Sequence, residues 1–258
     1  MTERRLAGWL LLVLLALVLA GAVWTPYDPA AQDFRDLARM GPGPGHWMGV
    51  DALGRDLGSR LWAGAGHTVA LAGLILLLNF SGAVVLLMVE RTAPPPVPAM
   101  VRTALRLAVA APVLLIGLLL LVWLGPSPLA LVLAAAVGNL PLTFRQMRVL
   151  WLEHRSAPHV QACEVLGGGT WHRFWFAIWP NFRPDLAALS RLVFAIAVLE
   201  LSGLAFIGLM GDPDFPELGS ILRQHQAEVF TAPWLVIAPA LVLSGLLALV
   251  HASGAGRD

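Results

Sequence analysis

Apolar residues in this chain run in long unbroken stretches and do not alternate with polar ones. Four stretches carry no charged residue: Leu6–Tyr27, Leu61–Val89, Leu107–Phe144 and Val229–Val250. A helix of about 20 apolar residues crosses a bilayer core, so each stretch is long enough to span. The third is too long for a single crossing, and Gly125-Pro126-Ser127-Pro128 divides it. Pro presets a turn and Gly relieves it, so this stretch is two helices joined by a hairpin. A further apolar segment, Leu186 to Leu209, contains Arg191 and Glu200. The pattern predicts an all-α membrane protein with six helices, at roughly 6–27, 64–89, 103–124, 128–147, 186–209 and 229–250, in one transmembrane domain over 1–258. The first stretch follows Thr2-Glu3-Arg4-Arg5, exceeds the core of a signal peptide and ends without an Ala-x-Ala site. It therefore reads as a retained helix.

Composition supports this class. Hydrophobic residues make up 58% of the 258 positions and charged residues 13%, against about 25% charged in soluble domains. A net charge of +1 without a basic block argues against nucleic acid as a partner. Lys is absent, so the chain has no phosphate-cradling P-loop. If ATP is consumed, another subunit binds it with Mg and hydrolyses it, and no cofactor is expected in this chain. Cys163 is the one cysteine, and the His residues are scattered without an HExxH pattern. Neither a metal site nor a catalytic centre is expected.

Arg distribution sets the orientation. Arg4 and Arg5 precede the first helix, and Arg91, Arg102 and Arg106 surround the loop after the second. Arg145, Arg148, Arg155, Arg173, Arg183 and Arg191 crowd the region between the fourth and fifth. These regions share one side of a six-span topology, which the excess of Arg marks as cytoplasmic. Residues 25–60 and 209–232 lie on the other side and are richer in acids. Both termini are then cytoplasmic, and segment 28–63 is on the outer face.

Residues 149–185 form the sizeable cytoplasmic connection. Ser156 ahead of Pro158 reads as an N-cap with Pro in the first turn. The short helix His159–Leu166 ends at Gly167-Gly168-Gly169, which supply left-handed backbone. Thr170 is placed to cap a second short helix. In it Trp171, Phe174, Trp175, Ile178 and Trp179 share one face, as in helices that lie in the headgroup layer. Pro180 then breaks the chain before the fifth span. The segment has the shape of a docking knob, and a passive surface loop is the competing reading.

The stretch QACEVLGGGTWHRFWFAIWPN resembles the EAA loop of ABC importer permeases, E-A-A-x3-G-x9-I-x-L-P. Gln161, Ala162 and Cys163 stand at E-A-A, Gly167 and Pro180 fall at the family spacing, and Ala177 and Trp179 replace Ile and Leu. Glu164 is the acid nearest the position that Gln161 occupies. The outer segment is more specific. His46-x-x-Gly49-x-Asp51-x-x-Gly54-Arg55-Asp56-x-x-Ser59-Arg60-Leu61 is similar to H-P-L-G-T-D-x-x-G-R-D-x-x-S-R-L, with Trp47 and Val50 as departures. That signature marks the second permease of dipeptide, oligopeptide and nickel ABC importers. Leu201–Leu209 and Thr231-Ala232-Pro233-Trp234 resemble further family regions, whereas the loop with Pro94-Pro95-Pro96 has no counterpart. The resemblance implies the type I (MetI-like) permease fold in a bacterial inner membrane. It also implies a homologous second permease, two ABC ATPases and an extracytoplasmic solute-binding protein. Residues 161–164, 167 and 180 would then couple to an ATPase.

From the residues alone, Asp51 is a candidate N-cap and Asp56–Arg60 an i,i+4 pair. Gly54 and Gly58 form a small-xxx-small face for close backbone packing. Together these describe an amphipathic helix on the outer membrane surface. It serves as a structural platform, a contact for the solute-binding partner, or both; a carboxylate pair without a nucleophile makes no catalytic site. Glu200, with Ser202 beside it, is an acid inside a span and must face protein or water. It is either a helix-to-helix link or a contact on the translocation path. A permease subunit carrying peptides, nickel or a metal chelate is the leading reading. A self-sufficient channel or carrier and an intramembrane enzyme are the alternatives.

Overall fold

The structure is a computed structural model, and it describes residues 12–14, 16–18, 20–21, 24–110 and 113–253. Among these the chain is helical, with two isolated β-bridges, Gly43–His46 and Val50–Asp56. We number the helices α1 (Leu57–Thr92), α2 (Val97–Ala110), α3 (Val113–Leu124), α4 (Pro128–Arg155), α5 (Pro158–Val165), α6 (Thr170–Ile207), α7 (Leu218–His225) and α8 (Trp234–Ala252). Four of them, α1, α4, α6 and α8, are long and apolar enough to cross a membrane. Of the predicted first span, 6–27, residues 6–11, 15, 19, 22 and 23 lie outside the described residues. Over the span predicted at 103–124 the described residues are helical on both sides of 111–112, which lie outside them and alone divide α2 from α3.

The hairpin after α3 forms as its sequence dictates. The Ser127 hydroxyl oxygen accepts from the Ala130 N–H at 3.1 Å, Pro128 opens α4, and Gly125 takes φ +75°. Helices α1, α4 and α6 build the centre of the bundle. Ala72 and Ile75 of α1 meet Leu131 and Ala135 of α4, and Ala83 meets Phe144 and Met147. Helices α1 and α4 therefore run in the same direction. Helix α6 runs against them, with Leu189 and Val193 beside Ala83 and with Val198 and Leu201 beside Ile75. The bundle has two ends. One carries residues 24–63, α7 and the start of α8, and is called the signature end; the other carries α5 and is called the coupling end.

Three local predictions are corrected. Pro180 does not break the chain: α6 is continuous from Thr170 to Ile207, and Arg173–Ile178 is wound as a π-helix. Pro180 and Pro184, which lack an N–H, both lie in the α-wound part that follows, Pro180 in its first turn. The amphipathic segment is thus the first turns of a membrane-length helix and not a separate one. Likewise Ser156 does not cap α5. Its hydroxyl donates back to the Leu152 carbonyl at 2.8 Å, closing α4, and Ala157 occupies the cap position before Pro158. Thr170 is the first residue of its helix, and Gly169 is the cap.

Candidate functional site

At the signature end the motif residues are buried, not spread on a surface. Asp51, Arg55, Ser59 and Arg60 have no solvent exposure, and Asp56 has 4%. Asp51 does not start a helix. Its Oδ1 accepts from the backbone N–H groups of Leu53 and Arg55, at 2.8 and 2.9 Å, which folds residues 51–55 into a turn. Gly54 lies in that turn, where a Cβ would sit 2.6 Å from the Arg35 nitrogen; near Gly58 the closest atom is Asp56 Oδ2. The two glycines therefore serve local packing and give no small-xxx-small helix face. Asp56 is the N-cap of α1, accepting from Ser59 N–H at 2.7 Å, and its other oxygen accepts from His46 Nδ1 at 2.7 Å. The expected Asp56–Arg60 pair does not form: Asp56 is engaged by Ser59 N–H and His46, and the Arg60 guanidinium reaches Pro29 and Gln224 instead.

The arginines reach across the fold. Arg55 donates through Nε to Asp51 Oδ2 (2.6 Å), and through its two Nη atoms to Asp214 (3.1 Å) and Gln224 (2.7 Å). Arg60 donates to the Pro29 carbonyl (2.9 Å) and to the same Gln224 oxygen (3.0 Å). Gln224 in turn donates to the Pro213 carbonyl. Together these bonds form a clasp that ties residues 24–63 to α7. Its second half is Glu217, fully buried at the N-cap of α7. Glu217 accepts from Ser202 Oγ (2.6 Å), Thr68 Oγ1 (3.1 Å) and Ser220 N–H (2.9 Å). Ser202 is therefore a helix-interface residue joining α6 to α7. Sequence reasoning missed Glu217, Gln224 and Thr68, because Glu is not among the favoured N-cap types and Gln carries no charge signal.

His225 completes the clasp. It lies against Glu228, with Nδ1 3.0 Å from Oε2, and its Nε2 is 3.9 Å from Asp51 Oδ2. Burial pushes its pKa below the ordinary 6.5; the bond to Glu228 and the charges of Asp51 and Glu228 oppose this, and Arg60 reinforces it. A depressed His pKa means that the unfolded chain takes up the proton first. Stability at this end should therefore fall as pH drops through 6.5 toward the lowered value. Melting the purified protein at pH 7.5 and pH 5.5 should show this loss, and His225→Gln should flatten the difference. An unchanged pH dependence in that variant would count against the assignment.

Within the bundle Glu200 is half-buried and accepts a hydrogen bond from Asn139 Nδ2 of α4. Nearby, Thr143 donates to Asn79 (3.4 Å), so α1, α4 and α6 share a line of polar contacts through an apolar interior.

The coupling end holds the other predicted residues. Helix α5 terminates in a Schellman motif, with Gly167 N–H bonded to Glu164 O (3.0 Å) and Gly168 N–H to Cys163 O (2.9 Å). Gly167 takes φ +83°, as the glycine break predicted. The inner side of α5 is pinned: Val160 packs on Ala177, Ile178 and Phe182, and Arg173 pairs with Glu164 at 2.6 Å. Gln161 Nε2 donates to the Ser156 carbonyl, so its side chain bonds back to the chain. Ala162 is exposed, Cys163 is half-buried, and Pro180 lies within α6. The tip presents Val165 and Leu166, each 87% exposed. Behind it a cavity of about 900 Å³ opens among Leu87, Trp151, Phe174 and Trp179, with Arg91 and Arg155 on its lining. Among the described residues no three His, Cys, Asp or Glu side chains are grouped to hold a metal.

The described residues thus form an apolar helical bundle with a polar clasp at one end and a braced apolar knob at the other, and four of its helices are long enough to cross a membrane. Residues 95–254 match the family of binding-protein-dependent transport system inner membrane components, and the chain belongs to that family. It is 28% identical over 261 residues to the di/tripeptide transport system permease DppC of Pseudomonas aeruginosa (strain UCBPP-PA14), covering 98% of this chain and 86% of that one. A glutathione transport system permease of Pectobacterium atrosepticum is 24% identical, over 92% of this chain and 79% of its own length. The peptide transport system permease SapC of Escherichia coli O6:H1 is 28% identical, over 81% and 71%. This chain is thus an inner-membrane permease of a binding-protein-dependent ABC importer, not an enzyme, and its partners are an ATPase and a solute-binding protein.

Proposed function

We propose that this chain pairs with a homologous second permease, two ABC ATPases and a solute-binding protein to import peptides. Relatives with peptide or glutathione transport in their names support that substrate class. In this reading the single domain has six spans, both termini are cytoplasmic, and residues 149–185 are the coupling segment. The clasp at Asp51, Gly54, Arg55, Asp56, Ser59 and Arg60 braces the outer gate. ATP and Mg bind the ATPases, whose closure pushes on α5 and reorients the bundle.

The observation that carries this reading is the braced apolar tip. Val165 and Leu166 project into solvent while Val160 and Glu164 hold the helix from behind. A Val165→Cys variant, in a Cys163→Ser background, should crosslink to the ATPase in the assembled complex. Gly167→Val strains the left-handed turn by about 1–2 kcal/mol, although no atom lies within 4 Å of the new Cβ. Uptake and substrate-stimulated ATP hydrolysis should therefore fall together, by about tenfold, with membrane insertion intact. No crosslink in a functional complex, or normal transport by Gly167→Val, would overturn the coupling assignment.

A further inference from the structure

We propose that a basic pocket between α2 and α4 binds the headgroup of an anionic phospholipid. The pocket, about 410 Å³, is lined by Arg102, Arg106, Arg145 and Arg148 together with Leu105, Pro141, Phe144 and Val149. No carboxylate lines it. Glu90, beside it, takes Arg102 at 2.6 Å and Arg148 at 2.8 Å. Arg106 and Arg145 form no ion pair or hydrogen bond among the described residues and are exposed. Four guanidinium groups around one small pocket, offset by one acid, repel one another unless an anion joins them. A guanidinium presents its N–H groups as a fork that fits phosphate oxygens.

The apolar lining decides between a lipid and a free anion. Phe144 and Pro141 form the buried wall, and Leu107, Leu142 and Val149 are exposed beside it on the same two helices. Phosphate at the arginines with acyl chains along those side chains satisfies both halves of the surface, whereas a soluble phosphate satisfies one. All four arginines lie on the side that the positive-inside pattern makes cytoplasmic, where basic pockets between membrane helices face anionic headgroups. The leaflet assignment rests on the orientation given under Proposed function; the pocket's preference for anionic lipid does not.

The test is equilibrium binding of fluorescent phosphatidylglycerol to the purified transporter complex, with phosphatidylcholine of the same acyl chains as the comparison. Phosphatidylglycerol should bind more tightly, and Arg106→Gln with Arg145→Gln should weaken it about 25-fold, roughly fivefold for each arginine. The pair Arg106→Lys and Arg145→Lys keeps the charge and should keep the anionic preference, which decides the matter if the glutamine pair fails to assemble. Equal binding of the two lipids would overturn the proposal. So would unchanged binding by the glutamine pair, or displacement of the lipid by an equal concentration of inorganic phosphate. Labelling of Arg106→Cys by an impermeant thiol reagent, in a Cys163→Ser background, reads orientation separately. Reaction from the outer face would overturn the topology and leave the lipid result standing.

Discussion

Arg55→Ala should be the most damaging single substitution at the signature end. The side chain is fully buried and donates to Asp51, Asp214 and Gln224. Its removal leaves the Asp51 carboxylate in the interior without its closest cation. Breaking a buried pair from one side costs about 3–5 kcal/mol, which is at least a hundredfold in the equilibrium between clasped and open forms. The expected result is a sharp drop in the yield of folded protein and in its melting temperature in detergent, with rapid proteolysis within residues 28–56. Adding Asp51→Asn to Arg55→Ala should recover part of the loss, because the stranded charge is then gone. If the double variant is no better than Arg55→Ala alone, the damage comes from lost packing and not from an uncompensated charge.

Gly219→Val should come next. A Cβ at Gly219 would stand 2.0 Å from the Ser202 carbonyl oxygen and 2.7 Å from that residue's Cα and carbonyl carbon. These are backbone atoms of α6 and cannot rotate aside. Helix α7 would have to lift away, breaking the Ser202 and Thr68 bonds to Glu217. The expected destabilisation is about 3 kcal/mol, the upper part of the range for overpacking, read as loss of thermal stability and of assembled transporter. Gly203→Ala is the matched control on α6, since nothing lies within 4 Å of its Cβ. That variant should be as stable as the parent. A stable Gly219→Val protein would mean that α7 does not pack on α6 as described.

Much of the local architecture was legible in the sequence because its causes are local. Ser127 with Pro128 starts α4, and Gly167 stops α5, through interactions within a few residues. The clasp was legible only as a motif. Asp51 and Asp56 are both good N-cap residues, and the choice between them is made by His46 and by Arg55. Arg55 is itself held by Asp214 and Gln224, more than 150 positions away. No periodicity encodes such a partner. Pro180 misled for a different reason: it stands in the first turn after the π-wound segment, a position where a helix tolerates proline. The Gly54 and Gly58 spacing was read on a helix that begins only at Leu57, so its implied face does not exist.

The continuity of α6 has a mechanical consequence. At 38 residues, with a rise of 1.5 Å each, it is a rod about 57 Å long. The Trp175 and Trp179 rings meet edge to face, 5.8 Å apart, near one end, and Ser202 holds Glu217 near the other. A tilt of only about 5° about one end would carry the opposite end roughly 5 Å, farther than the reach of any hydrogen bond in the clasp. In the coupling reading proposed above, movement at the α5 end would reach the joint at the other end through this one rod.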